Sequence, residues 1–245
     1  MFSFKRFLIL VMAAVIVTTA VSAQQQQQDT DTTRRNTQTV EQSYLQEQIE
    51  VMIIRETARM HTREQKLMAL EYIGEALDRG NTNDEIRMTL HFLINEGNRN
   101  NQARENGRLV NNFPDVRRQA ARFLGQIATE EARVSLVGIL MEENEPMVVQ
   151  EAIKSLGDIG TNDGNHTVSN ITWRLMKDIR GHTPDNLVAL AAIDTFQKIA
   201  QKNNGIQDPE VYRALNLIAD YRSDYVAPVR ERARQVLAEL RRYGN

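Results

Sequence analysis

The side chains best suited to metal binding or proton transfer in this 245-residue chain are four histidines, His61, His91, His166 and His182. A helical zinc site places two histidines one turn apart so that both imidazoles face the same ion. None of the four has a second histidine four residues on, and no His-Glu-x-x-His occurs. Nucleophilic chemistry is no better served. There is no cysteine, hence no thiolate nucleophile, thiolate metal site, disulfide or acylated lipoprotein cysteine. Neither a Gly-x-Ser-x-Gly elbow nor a glycine-rich phosphate loop is present. Asp158 to Asn165 faintly resembles a calcium loop. Aligned on its glycine, however, it has Ile159 and Asn170 at the first and twelfth ligand positions, where a calcium loop needs carboxylates. It reads as a turn. The expectation is a protein with no catalytic residue, no metal and no cofactor.

What remains is binding chemistry, and it lies on a repeated helix. Pro114-Asp115-Val116-Arg117-Arg118-Gln119-Ala120-Ala121-Arg122-Phe123-Leu124-Gly125-Gln126-Ile127 returns 32 residues later as Pro146 to Ile159, with Pro, Val, Ala, Leu, Gly and Ile in register. Val188, Ala192, Phe196 and Ile199 continue the series, then Val229, Ala233, Leu237 and Leu240; Ala69, Ile73 and Gly74 are an earlier, weaker copy. Each copy places an apolar residue, a small alanine, a large apolar residue and another apolar residue on one helical face. The alanine lets a neighbouring helix approach. Gly125 and Gly157 cost helix stability unless a close approach or a helix end requires them. Between the copies run partner stripes: Leu136 and Leu140; Val168, Ile171 and Leu175; Val211, Leu215 and Ile218. Trp173 and Tyr212, beside these stripes, are expected in the core.

Two, six and ten residues beyond the recurring valine, the pattern sets polar side chains on the opposite face. They read Arg118, Arg122, Gln126; Gln150, Lys154, Asp158; Leu190, Asp194, Lys198; Glu231, Gln235, Glu239. Stacked helices lie roughly 8–10 Å apart, so these positions would form one surface running from basic to acidic. It is either a solvated face or a graded groove for a protein or peptide partner. On the groove reading, the binding residues are Arg118, Arg122, Gln126, Gln150, Lys154, Asp158, Asp194 and Lys198.

Periodicity predicts helices near 42–60, 62–79, 83–96, 114–129, 130–142, 146–160, 165–180, 184–202, 208–222 and 226–243, and no strand. All five prolines fall at predicted helix starts, where no helical N–H is lost. Thr62 to Gln65 fits a capping box. Gly97 to Asn112, rich in Asn and Arg, is the longest insertion between units.

The motif x-Val-Arg-x-x-Ala-x-x-x-Leu-Gly-x-Ile followed by a second amphipathic helix resembles the HEAT repeat, in the short bacterial form also found in phycobilin-lyase relatives. Asp115 to Gly125 is the closest copy, and Pro228-Val229-Arg230 with Ala233 and Leu237 follows. The third copy departs: Ala189 stands in place of the Arg and Gln197 in place of the Gly. The resemblance implies an all-α fold, an α-solenoid (superhelix) of about five antiparallel helix pairs over 42–243, with the repeat helix lining a concave binding face. It does not imply a ligand.

The ends carry an expectation about location. Met1 to Ala23 reads as an export signal: Lys5 and Arg6, an apolar run, then Val21-Ser22-Ala23 as a cleavage site. An uncleaved membrane anchor is the alternative, although the run is short for a span of ~20 residues. Residues 24–41, Gln- and Thr-rich with little to bury, read as a disordered linker. An exported chain without cysteine points to the bacterial periplasm. The formal net charge of −2 becomes more negative once Lys5 and Arg6 leave with the signal, so nucleic acid is excluded as a partner. The arginines of the last helix, Arg230, Arg232, Arg234, Arg241 and Arg242, either cap the array with a polar face or meet an anionic membrane. The function expected is an exported, non-enzymatic scaffold; the alternatives are a membrane-tethered structural protein and a lyase- or hydrolase-associated HEAT protein.

Overall fold

The computed structural model describes residues 40–98 and 101–244; the expected export signal, and the expected linker up to residue 39, lie outside the described residues. The chain divides into two compact units after Glu50. Ten α-helices are described: α1 (Val40–Arg59), α2 (Arg63–Asp78), α3 (Asp84–Ile94), α4 (Pro114–Ile127), α5 (Glu130–Glu142), α6 (Pro146–Ile159), α7 (His166–Arg180), α8 (Asn186–Asn203), α9 (Pro209–Ala219) and α10 (Ala227–Leu240). Helix α1 begins two residues before the expected start, so Val40 and Glu41 are helical rather than linker; Glu41 adds negative charge to the first turn, where the helix dipole favours it. In the first unit the described residues are the opening turns of α1. The helical stack belongs to the second unit, residues 51–245.

Within that unit the helices form two rows. In one, α4 packs on α2, α6 on α4, α8 on α6 and α10 on α8; in the other, α5 packs on α3, α7 on α5 and α9 on α7. This is an all-α helical-repeat solenoid. The recurring positions are its core: Val116, Ala120 and Leu124, Val148, Ala152 and Leu156, Val188, Ala192 and Phe196, and Val229, Ala233 and Leu237 are all buried. The partner stripes Leu136 and Leu140, Val168, Ile171 and Leu175, and Val211, Leu215 and Ile218 are buried against them.

The glycines explain how closely the first row packs. A Cβ built on Gly125 would stand 2.6 Å from Ser155 Cβ, and one on Gly157 2.8 Å from Thr195 Oγ1. Across the second contact the Thr195 hydroxyl donates to the Ile153 carbonyl at 3.0 Å, tying α8 to α6. Where the third copy replaces Gly with Gln197, the contact turns polar. Gln197 donates to Glu239 at 2.5 Å and accepts from Arg232, both on α10. Replacing a mid-helix glycine by alanine normally stabilises by roughly 0.5–1 kcal/mol. Gly125→Ala is expected to do the reverse, costing ~1–3 kcal/mol through overpacking, as read by urea denaturation.

Helix starts follow local chemistry. Pro114, Pro146, Pro209 and Pro228 occupy first-turn positions, and Thr62 with Gln65 makes the reciprocal capping box. Gly160 ends α6 in the left-handed conformation (φ 76°), while Lys202 and Asn203 of α8 donate to the carbonyls of Asp158 and Gly160 at 2.6 and 2.9 Å. Such donors satisfy carbonyls that the helix itself leaves open.

Two expectations need correction. The 97–112 insertion is not strandless: Arg104–Glu105 (β1) pairs antiparallel with Arg108–Leu109 (β2) across Asn106-Gly107. Both turn residues have positive φ (49° and 80°), the demand that makes Asn-Gly a hairpin turn. Strands of two residues show no alternation to read. Trp173 is not core; it is 45% exposed. It lies two residues from Ile171, which rotates it off the buried stripe, and Lys177 rests over its ring at 5.6 Å. Tyr212 is half-buried, its hydroxyl donating to the Ile206 carbonyl at 3.0 Å.

A buried ionic network anchors the insertion. Arg117, 2% exposed, reaches Glu143 in the α5–α6 loop at 2.6 Å and donates to the Glu96 carbonyl at 3.1 Å. The Glu96 carboxylate takes Lys66 at 3.2 Å and Asn111 at 3.0 Å. Arg174 of α7 donates to the Glu143 carbonyl at 2.5 Å and to Asp178 at 3.1 Å. The Tyr225 phenol is pushed up to about 12, chiefly by burial and further by Asp178, Asp185 and Asp224, so it stays neutral.

Candidate functional site: the polar strip on the repeat helices

Because the core positions of α4, α6 and α8 face inward, the residues two, six and ten beyond each valine are turned outward. Arg118, Arg122, Gln126, Lys154, Asp158 and Lys198 are exposed, and Gln150 and Asp194 are half-buried. All eight lie on successive helices of one row.

Their charges are not equally available. Lys198 pairs with Asp158 at 2.6 Å, Asp194 with Arg232 of α10 at 2.7 Å, and Arg118 with Glu151 at 3.6 Å. Glu239 is held by Gln197 and Gln201. The acidic end is therefore largely neutralised across neighbouring helices. Arg122, Gln126, Gln150 and Lys154 make no hydrogen bond or ion pair with any described residue. The free part of the strip is a basic and amide quartet on α4 and α6. Beside it, at the starts of α6 and α8, Gln150 lines a hollow of about 310 Å³ with the exposed apolar side chains Met147 and Leu187.

The cross-helix pairs join residues about one repeat apart: Asp158 and Lys198 are 40 residues apart and Asp194 and Arg232 are 38 apart. For Asp158 and Lys198, both ten residues beyond their valine, opposite signs at equivalent positions of adjacent repeats were the signal; Arg232 stands three residues beyond Val229 and Asp194 six beyond Val188, so that pair carried none. The arginines of α10 behave similarly: Arg232 is paired, Arg230 donates to the Tyr225 carbonyl, and Arg234 to the Ala219 carbonyl. Arg241 and Arg242 are exposed.

Sequence reading also missed a histidine–serine contact. His91 Nδ1 lies 2.8 Å from Ser135 Oγ, linking α3 to α5, and the hydroxyl donates to the Glu131 carbonyl at 2.9 Å. With its proton committed there, Ser135 offers His91 a lone pair, so Nδ1 is the donor across this contact. Among the described residues no group of three or more His, Asp or Glu could hold a metal ion, and no helix is long and apolar enough to cross a membrane.

Comparison with known families decides what this array is. Residues 108–195, from β2 through most of α8, match the family model of HEAT repeats. This stretch carries HEAT repeats. The match spans the two clearest copies of the motif and the opening half of the third. No curated protein and no solved structure matches the chain. HEAT repeats are in general scaffolds rather than catalysts and commonly mediate protein–protein contacts.

Proposed function

We propose that this HEAT-repeat protein is a non-enzymatic scaffold, exported to the bacterial periplasm, that captures a protein or peptide partner on the repeat-helix strip. The observation that carries the reading is the unpaired quartet Arg122, Gln126, Gln150 and Lys154 on two adjacent helices. Folding does not use these groups. The apolar hollow beside Gln150 adds the desolvated contact that polar groups need around them to bind well.

Arg118→Glu with Arg122→Glu is the test. Both side chains are exposed, so the double variant is expected to melt within a few degrees of the parent, since exposed ion pairs contribute only ~0–1 kcal/mol. A photo-crosslinker placed at Lys154 in cells is expected to trap a discrete partner with the parent and to lose it with the double reversal. Unchanged trapping would remove the strip from the site. Fractionation and N-terminal sequencing of the exported form test location and signal cleavage together: a periplasmic chain beginning near Gln24 is expected, and an intact N-terminus in the membrane fraction would replace export with tethering.

A further inference from the structure

Two cations of the strip, Arg122 of α4 and Lys154 of α6, occupy matching places, each six residues beyond its recurring valine. How near such matched side chains come is visible one turn further on. Asp158 and Lys198, both ten beyond their valines on α6 and α8, meet at 2.6 Å. Helices α4 and α6 approach tightly as well, since the Gly125–Ser155 contact, which leaves no room for a Cβ, lies within one turn of both cations. The acids around them are spent or apart. Asp194, at the matching place on α8, is held by Arg232 at 2.7 Å, and Glu151 pairs with Arg118 at 3.6 Å. Glu71, in the weaker copy on α2, makes no ion pair with either cation. Two like charges this close repel, and one carboxylate, with an oxygen for each, relieves both.

The hollow of about 310 Å³ beside Gln150 supplies a second contact of different chemistry. Met147 and Leu187 line it and are 40% and 59% exposed, so apolar surface stands in water there. Glu145 and Asp185 line it too. Asp185 already accepts from the Leu187 and Val188 N–H groups at 2.8 and 2.9 Å, and Glu145 adds a second negative charge. An incoming carboxylate is therefore repelled at the hollow and attracted at the cation pair. A ligand that satisfies both ends is apolar at one and acidic at the other.

The helix fixes the distance between the two ends. Met147, Gln150 and Lys154 follow at i, i+3 and i+7 along one face of α6, which puts Met147 and Lys154 about 10 Å apart at 1.5 Å per residue. An extended chain covers that distance in three residues at ~3.3 Å each. Gln150 lies between, its side-chain amide bonded to no described residue. It offers an NH₂ and a carbonyl oxygen to a main chain passing over it.

We propose that the strip reads an extended segment of its partner in which an acidic residue stands three positions from a bulky apolar one. The carboxylate bridges Arg122 and Lys154, and the apolar side chain fills the hollow between Met147 and Leu187. This assignment rests on the strip being the docking surface and adds the chemical class of what docks there.

The test titrates the ¹⁵N-labelled full chain with acetyl-Asp-Gly-Ser-Leu-amide and acetyl-Leu-Ser-Gly-Asp-amide, since either chain direction satisfies the spacing. The resonances followed are the Gln150 side-chain amide and the backbone N–H groups of Lys154 and Leu187. The tighter peptide is expected to shift all three together. Changing its Asp to Asn, or its Leu to Ala, is expected to weaken binding roughly fivefold. Arg122→Gln with Lys154→Gln is expected to abolish the preference for Asp over Asn, and Leu187→Ser the preference for Leu over Ala. All three side chains are exposed, so these variants keep the fold. Equal binding of the Asp and Asn peptides would overturn the proposal, as would equal binding of a peptide one residue shorter between Asp and Leu. Inorganic phosphate competing as well as the peptide would also overturn it, reducing the cation pair to a bare anion site. No peptide shift at all, with trapping at Lys154 in cells still lost in the Arg118→Glu, Arg122→Glu variant, would sink the motif and leave the strip; trapping that survives that variant would remove both.

Discussion

Arg117→Met is expected to destabilise the repeat array by ~3–5 kcal/mol, the cost of stranding a buried charge without its partner. Glu143 is 3% exposed and would keep only the backbone N–H groups of Asn144 and Glu145, each at 2.9 Å, against the charge that Arg117 now neutralises. The Glu96 carbonyl would lose a donor as well. At roughly 2–4 °C per kcal/mol for a domain of this size, the melting temperature is expected to fall by about 6–20 °C. Adding Glu143→Gln to Arg117→Met is expected to recover part of the loss. The neutral amide still accepts from both backbone N–H groups and carries no charge to strand. A double variant no better than the single one would show that Arg117 acts through its packing and its bond to Glu96 rather than through the ion pair. Because this network also holds the insertion against α4, the single variant is expected to speed amide exchange at Asn101 and Ala103.

The second large effect concerns the small residues between helices. Ala120 and Ala152 are fully buried on the faces where α4, α6 and α8 meet. Ala152→Leu is expected to force these helices apart or drive side chains off their rotamers, costing ~1–3 kcal/mol. Lys154→Leu, two residues on along the same helix, changes a side chain that points to solvent and touches no polar partner. It is expected to be neutral to within ~0.5 kcal/mol. The contrast follows from helical geometry, since a shift of two residues turns a side chain by about 200°, onto the opposite face of the helix.

Much of this architecture could be read in the chain because the repeat supplies its own control. One amphipathic helix is ambiguous in detail, but valine, alanine and leucine returning in register three times identify the buried face without reference to any partner. The recurring glycine likewise implied close approach, and Ser155 and Thr195 are what it approaches. What escaped was whatever depends on a loop. Nothing in the sequence marks Arg117 as buried, since charge is normally outside; its partner Glu143 lies in a loop 26 residues on, beyond any helical period. The Asn106-Gly107 hairpin did carry a turn signal, but its strands are too short to alternate. At the strip the composition was legible and the availability was not. Whether Lys198 is a binding group or half of an ion pair depends on Asp158, and only helix stacking puts the two together.

The most direct measurement of the central claim, that small side chains let repeat helices stack in register, is urea denaturation of Ala152→Leu and Lys154→Leu beside the parent. The account requires a midpoint well below the parent for Ala152→Leu and one indistinguishable from it for Lys154→Leu. Equal midpoints for the two variants would contradict it, because the helix would then have no buried face where the repeat puts one.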